Sequence, residues 1–386
     1  MAKEKWQIPH SSRENRMNIL PVETKKELAA FINLPYHLYK NDPVWIPPLR
    51  SEQDGQFDPK HNPLLDHCEW QLFLLEEKGK IIGRIAAFVD LLAIDFWKAR
   101  IGLFGYYECV PDPTAARLLL EAAVAWVRSR RCTSMRGPWT FVSQEWGLVV
   151  DGFTPSPVVM APYNPPYYAD QFSAFGLKKV KDLLCWYISA AEGYKVPEHI
   201  LQLTEAVQQR YKVRIRQLNM RRYDEEVKVI IDLANTTIID NWGYSPVTEA
   251  EVRAMARDIK PVLQPKGVLF AEDANGKPIG FAITLPDVNT LLKGLNGRLF
   301  PFGFLKLLTG IPRLRRYRMF ALGVIPEYQG KAIDSLLYRA MHETLYTPDT
   351  WMEINYVLED NWPMVNAIKK LGCTPLRRYR VYEMMI

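Results

Sequence analysis

At 386 residues the chain exceeds the roughly 250–300 residues at which a single hydrophobic core stops growing, so two domains are expected. Hydrophobic residues make up 48% and charged residues 24%, a balance that excludes wholesale disorder. A net charge of +6, from 49 Lys+Arg against 43 Asp+Glu, suits an anionic ligand and does not demand nucleic acid.

Residues 1–16 are polar and unpatterned, as in a disordered N-terminal extension, and no apolar run follows the charged opening Met1-Ala2-Lys3-Glu4-Lys5-Trp6. Neither a signal peptide nor a membrane anchor is expected there, and the predicted compartment is the cytoplasm. Thr24 to Tyr39 carries a helical repeat, after which Pro43, Pro47 and Pro48 force an extended connection. Gln71–Leu75 and Ile81–Val89 read as strands of a hairpin about Glu77-Lys78-Gly79-Lys80, and Gly105–Val110 as a further strand. Pro113–Arg128 places Ala116, Leu119, Leu120, Ala123, Val124 and Val127 at the spacing of a buried helix face. A strand at Cys185–Ile188 ends the first half, and Glu192-Gly193-Tyr194-Lys195-Val196-Pro197 reads as a linker.

Beyond it, Val213–Gln217 is predicted as a strand and Tyr223–Thr236 as a helix. A second helix spans Thr248–Lys260, with a capping box from Thr248 to Glu251. Val268–Glu272 and Pro278–Leu285 form a hairpin about Asp273-Ala274-Asn275-Gly276. Met319–Val324, Trp351–Val357 and Tyr379–Met384 are strands, with helices at Ala332–Leu345 and Pro363–Leu371.

The two halves repeat each other. Gly79-Lys80-Ile81-Ile82-Gly83 recurs as Gly276-Lys277-Pro278-Ile279-Gly280, with Gly280 lying 197 positions after Gly83, and Asn361 lies 197 positions after Asn164. One offset at two distant landmarks implies a duplicated fold, divided at 17–192 and 193–386. Pro326 lies 215 positions after Pro111, so the second copy carries an insertion. Within it Leu299–Ile311 is apolar except for Lys306. That is too short for a bilayer span, which needs about 20 residues. Core packing or an inter-domain contact is the expected role, with a greasy lid over a ligand or a membrane-surface contact as the alternative.

The five cysteines form no C-x-x-C pair, and the six histidines form no H-x-x-x-H pair, so reduced thiols and no metal site are expected. Arg313, Arg315, Arg316 and Arg318 form the densest basic run, expected as a solvated strand edge, with a phosphate contact next and RNA behind both.

The stretch Met319-Phe-Ala-Leu-Gly-Val-Ile-Pro-Glu-Tyr-Gln-Gly-Lys-Ala-Ile-Asp is a strand, a tight turn and a helix start. It resembles the GNAT superfamily of N-acyltransferases, in which V-x-P and Q/R-x-x-G-x-G/A precede a helix; the match lies at Val324, Pro326, Gln329, Gly330 and Lys331. Asn361 to Gly372 resembles the superfamily's later N-x-x-A-x-x-x-Y-x-x-x-G-F signature. The resemblance covers the second copy and reaches the first more faintly, through Val110-Pro111 and Asn164 to Gly176. It implies an α+β protein of two GNAT-like domains, each a mixed, mostly antiparallel central sheet flanked by helices. It also implies acetyl-CoA or a longer acyl-CoA as cosubstrate, a small-molecule amine or amino acid derivative as acceptor, no metal and no nucleic acid.

Helix N-terminal amides free of bulky side chains hold a diphosphate, which assigns Gln329, Gly330, Lys331, Ala332 and Ile333 to coenzyme A, with Asn361 beside them. Backbone groups of Leu322, Gly323 and Val324 would stabilise the oxyanion. The sequence departs from the signature at Ala332, tolerable if its φ stays negative, at Asp334, which must point away from phosphate, and at Ile368, where a proton-donating tyrosine often stands. Strand alternation sets Trp351, Glu353 and Asn355 on one face and Met352, Ile354 and Tyr356 on the other. Glu353 is the candidate general base and Tyr356 the substitute acid. The first copy has Asp112-Pro113-Thr114 in place of Q-x-x-G, so it is expected to bind no coenzyme A and to wall off the acceptor. The aromatics of Trp139 to Gly147 and Asn241 to Tyr244 are expected in core packing, with a ligand-lined cleft between the copies as the functional alternative. The expected activity is acyl transfer to an amine, with a non-catalytic ligand sensor of the same fold as the alternative.

Overall fold

The computed structural model describes residues 17–142 and 145–386; the N-terminal extension foreseen at 1–16 lies outside them. The first copy runs β1 (Met17–Pro21), α1 (Lys25–Leu38), α2 (Arg50–Gln56), β2 (Cys68–Glu77), β3 (Lys80–Asp90), α3 (Leu91–Trp97) and β4 (Ile101–Cys109). It continues with α4 (Pro113–Ser129), β5 (Ser134–Gly137), β6 (Leu148–Asp151), α5 (Tyr168–Phe175) and β7 (Lys178–Ser189). The second copy runs α6 (Glu198–Tyr211), β8 (Arg214–Gln217), α7 (Tyr223–Thr237), α8 (Glu249–Ile259), β9 (Val268–Glu272) and β10 (Pro278–Pro286). After α9 (Asn289–Leu292) and α10 (Gly303–Gly310) it closes with β11 (Arg316–Val324), α11 (Ile333–Leu345), β12 (Trp351–Leu358), α12 (Trp362–Lys370) and β13 (Thr374–Met385). The sequence pattern gave no sign of α6 or α2; the polar, seven-residue α2 has no buried face to create a period.

All the strands join one sheet, in the order β1-β2-β3-β4-β5-β13-β7-β12-β11-β10-β9-β8, with β6 added on β13. The order is near-symmetric about β13 and β7. Each half is antiparallel except where its fourth and fifth strands run parallel: β4 with β5 and β11 with β12. The duplication is therefore a duplication of fold, but the last strands are exchanged. β7, from the first copy, pairs with β12 of the second, and β13, from the second, pairs with β5 of the first. A cut at Glu192–Gly193 separates β7 from both of its sheet neighbours.

Burial on both faces explains the continuous apolar run in β3: Ile85, Ala87 and Val89 enter the core beneath α4, while Ala86 and Phe88 enter the core with Phe31 of α1. The second copy packs Phe270, Phe281, Leu337, Leu345 and Ile368 into one core. Capping boxes start α1 at Thr24–Glu27 and α8 at Thr248–Glu251. No described helix is long and apolar enough to cross a membrane.

Candidate active site

In the second copy the sheet opens where β11 and β12 part. They pair only from Arg316↔Trp351 to Met319↔Ile354. There the β10 pairing shifts so that Phe320 has no partner, and the β7 pairing shifts between Ile354 and Val357. Beyond Met319, β12 supplies no ladder partner to the facing edge of β11, which leaves backbone groups among Phe320 to Val324 for a ligand. Leu322, Gly323 and Val324, the expected oxyanion residues, all lie on this stretch.

The turn that follows carries the predicted diphosphate residues. Gly330 has φ +72°, is exposed, and a Cβ there would meet nothing within 4 Å, so the turn is open to solvent. Ala332 is the N-cap of α11 and makes no side-chain cap, so the first amides of the helix lack a cap acceptor from it. Its φ is +57°, not the negative value expected from sequence, at a cost of roughly 1 kcal/mol for a residue with a Cβ. Gln329 donates Nε2 to the Val324 carbonyl at 3.0 Å and ties the turn to the end of β11. Lys331 holds its ammonium 4.7 Å from the centre of the Tyr328 ring, beside the turn. Ile333 is buried and can offer only its backbone.

Asp334 is half-buried in the same first turn. Burial raises its pKa, opposed by the amides of Asp334 itself and Ser335, so its carboxyl is drawn toward amides that a diphosphate would use. Asn361 accepts from the Met364 amide at 3.3 Å as the cap of α12, which is its observed role.

On β12 the strict alternation fails. The register shift carries Tyr356 away from the Met352 and Ile354 core and onto Tyr379 (5.1 Å) and Trp146 (6.1 Å). Its hydroxyl is buried with no hydrogen-bond partner among the described residues, and burial pushes its pKa well above 10, with Arg318 opposing. Glu353 is 0% exposed. Its Oε1 accepts from Asn355 Nδ2 at 2.7 Å and lies 3.7 Å from Arg377 Nη1, so an amine has no open route to it.

Arg318, 1% exposed, donates to the carbonyls of Val159 and Met160, and Arg316 pairs with Asp287 at 2.7 Å. The basic run is thus largely turned inward; the solvated edge expected from sequence is confined to its Arg313 end. Arg318 also joins the open strands to a cavity of about 580 Å³ between the copies, of which Val159 and Met160 form one wall. The first copy contributes Trp45, Glu52, Glu145 and Trp146; the second contributes Met255, Asp258, Leu292 and Leu307. Trp139, Trp146 and Trp242 follow one another ring to ring (4.5 and 6.1 Å) and pack against the core of Leu183, Tyr379 and Val381; of the three, Trp146 lines the cavity.

Sequence reasoning did not single out Glu52 and Glu145. The enclosed setting pushes Glu52 up to about 7, helped by Glu145 and Asp258, and raises Glu145 against the opposing charge of Arg318. No spacing rule finds them, because α2 and the Glu145 loop meet only in the folded chain.

His67, Cys68 and Asp90 bring ligand-type atoms within 4.8 Å of one another. His67 Nδ1 faces Asp90 at 3.0 Å, however, and Nε2 faces Glu251 of the second copy at 3.1 Å. Those hydrogen bonds, that to Asp90 first, raise its pKa to about 12. Each ring nitrogen thus faces a carboxylate, one from each copy, and the cluster ties the two copies together.

The parted parallel strands, the glycine turn and the tandem arrangement share the fold of GNAT-like proteins, in a two-copy form. The tandem GNAT protein of the clavulanic acid pathway superposes over 96% of this chain and 98% of its own, with a TM-score of 0.54 at 15% identity. A GCN5-related N-acetyltransferase from Sphaerobacter thermophilus covers 96% of both chains, with a TM-score of 0.51 at 11% identity. No family model matches the sequence. The chain is 34% identical to Protein YghO of Escherichia coli (94% of each chain) and 34% identical to the bacterial ceramide synthase of Caulobacter vibrioides (97% of this chain, 99% of that one), and it belongs to their family.

Proposed function

We propose that the protein is an acyl-CoA-dependent N-acyltransferase whose acceptor is a long-chain amine bound in the cavity between the copies. The observation that carries this is the open β11–β12 gap with the glycine turn at its end and an apolar, carboxylate-bearing cavity beside it. A cavity of this size holds an extended apolar ligand, and a fatty amide of an amino alcohol, which is what a ceramide is, has such an amine as its precursor. The relationship to a ceramide synthase supports that acceptor class.

The turn Gln329–Ile333 and Lys331 would hold the diphosphate of coenzyme A, whose thioester supplies an activated acyl carbon. Glu145 accepts a proton from the amine nitrogen as the C–N bond forms. Its raised pKa brings it toward the range in which a carboxylate is an effective base. Backbone amides between Phe320 and Val324 stabilise the oxyanion. As the C–S bond breaks, the Tyr356 hydroxyl, kept protonated by burial, donates to the thiolate. Glu353 acts through Asn355 and Arg377, holding β12 in place beneath Tyr356.

Release of free thiol from acetyl-, hexanoyl- and palmitoyl-CoA, measured over a panel of short- and long-chain amines, tests the reading. Turnover should rise with the chain length of the amine. Silence throughout, with no coenzyme A binding by titration calorimetry, would favour a ligand sensor, the outcome toward which the Asp334 carboxyl leans.

A further inference from the structure

The insertion does not behave as core. Phe300, Phe302 and Leu308 are 79%, 75% and 70% exposed, and Phe304 and Leu305 beside them are also exposed. Five of the thirteen exposed large apolar residues of the described chain thus fall within nine positions. Scattered apolar residues need no explanation, but a contiguous patch does. The inner side of the same segment is well anchored. Leu292 and Leu307 line the cavity, Gly297 accepts from the Arg50 amide at 3.0 Å, and Gln264 donates to the Ile311 carbonyl at 2.8 Å. The outward exposure is therefore a property of a fixed element and not of a loose one.

Charge identifies what covers the patch. From Val288 to Pro326 there is no acidic residue, and Lys293, Arg298, Lys306 and Arg313 are exposed around the phenylalanines. Aromatic and aliphatic residues ringed by cations, on an element too short to span, suit the interface of an anionic bilayer, where rings enter the headgroup boundary and cations meet lipid phosphate. A second copy of this chain would bring its own basic ring against the first.

We propose that Leu299–Ile311 docks on the surface of an anionic lipid bilayer, setting the roof of the inter-copy cavity at the membrane so that an apolar substrate can pass between them. The docking itself is independent of the acyl-transfer reading, since it rests on the outer face of the segment alone.

Flotation of the full-length protein tests it, using vesicles of phosphatidylcholine alone or mixed in equal parts with phosphatidylglycerol, without acyl-CoA. The wild type should float with the mixed vesicles, and less so at high salt. A triple variant Phe300→Ser, Phe302→Ser, Leu308→Ser should lose about tenfold or more in partitioning with an unchanged melting temperature. Arg298→Glu with Lys306→Glu should abolish the preference for phosphatidylglycerol. Failure of the wild type to float, or equal flotation of the triple variant, overturns the proposal. So does a dimer in sedimentation velocity that the triple variant dissolves, because a second copy would then be the occupant. A protein that floats but never releases thiol leaves docking intact and removes only the acyl-transfer reading.

Discussion

The helix that follows the fourth strand begins differently in the two copies. In the first, Asp112 caps α4 by accepting from the Thr114 amide at 2.8 Å and the Ala115 amide at 3.1 Å, so the protein's own carboxylate occupies the anion site. In the second, Ala332 caps α11 with no side-chain bond, and an exposed glycine precedes it. The strand gap differs in the same sense. The Trp139 amide donates to the Phe104 carbonyl at 2.8 Å, closing the space beyond β5, and a Cβ on Gly105 would lie 1.4 Å from the Trp139 carbonyl oxygen. Among the described residues no such rung closes β11 beyond Met319. One fold therefore yields a filled copy and an open one. Filling needs only a side-chain carboxylate at the helix and a tryptophan segment in the gap.

The sharpest way to break this contrast is to fill the open turn. Gly330→Val forces a branched side chain onto a positive-φ residue in the diphosphate path, and acyl-CoA affinity by calorimetry should fall by about 100-fold or more. Thr114→Val, at the corresponding helix of the first copy, should leave that affinity unchanged.

Glu145→Gln tests whether the filled copy lends the open one its base. A drop in kcat of about 100-fold, with unchanged acyl-CoA Kd, is expected. Because its folded pKa is raised, wild-type kcat/KM should climb with pH through a point above the usual carboxylate range. The variant should lack that limb.

Asp334→Ser removes the residue by which the open turn still resembles the closed one. Acyl-CoA should bind roughly tenfold tighter at neutral pH. The gap should narrow as pH falls and wild-type Asp334 neutralises, which its raised pKa allows at a higher pH than for an ordinary carboxylate.

His67→Gln loosens the tie between the copies. The His67 pKa is raised on folding, so the stabilisation is complete below its unfolded value of about 6.5 and is lost as pH rises toward about 12. The drop in Tm, of about 5 °C, should be largest near pH 6 and shrink at pH 9. The smallest effect belongs to Asp112→Ala, which should cost about 1 kcal/mol as a lost cap without creating a coenzyme A site while Trp139 still fills the gap.

Much of this was legible before folding was considered. The 197-residue repeat, the two hairpins and the Val324–Lys331 turn are local patterns, and local patterns survive in sequence. Tyr356 was legible as a candidate but misplaced on its strand, because a one-residue register shift between Ile354 and Val357 reverses the alternation expected of a regular strand. Glu353 looked like a base because it is a carboxylate on the right strand; its burial against Arg377, a residue on β13, could not be read from its neighbours. The apolar insertion was expected in a core, since composition records hydrophobicity but not which side faces water.

Sequence alone determined that the fold occurs twice and which copy keeps the glycine turn, because repetition and turn chemistry are written in contiguous residues. Tertiary structure decided the rest: the exchange of β7 and β13 that fuses the copies into one sheet, and the cavity in which Glu52, Glu145 and Asp258 meet. Strand partners and cavity walls come from segments far apart in the chain. What unites them is the burial of surfaces that no single stretch can satisfy by itself.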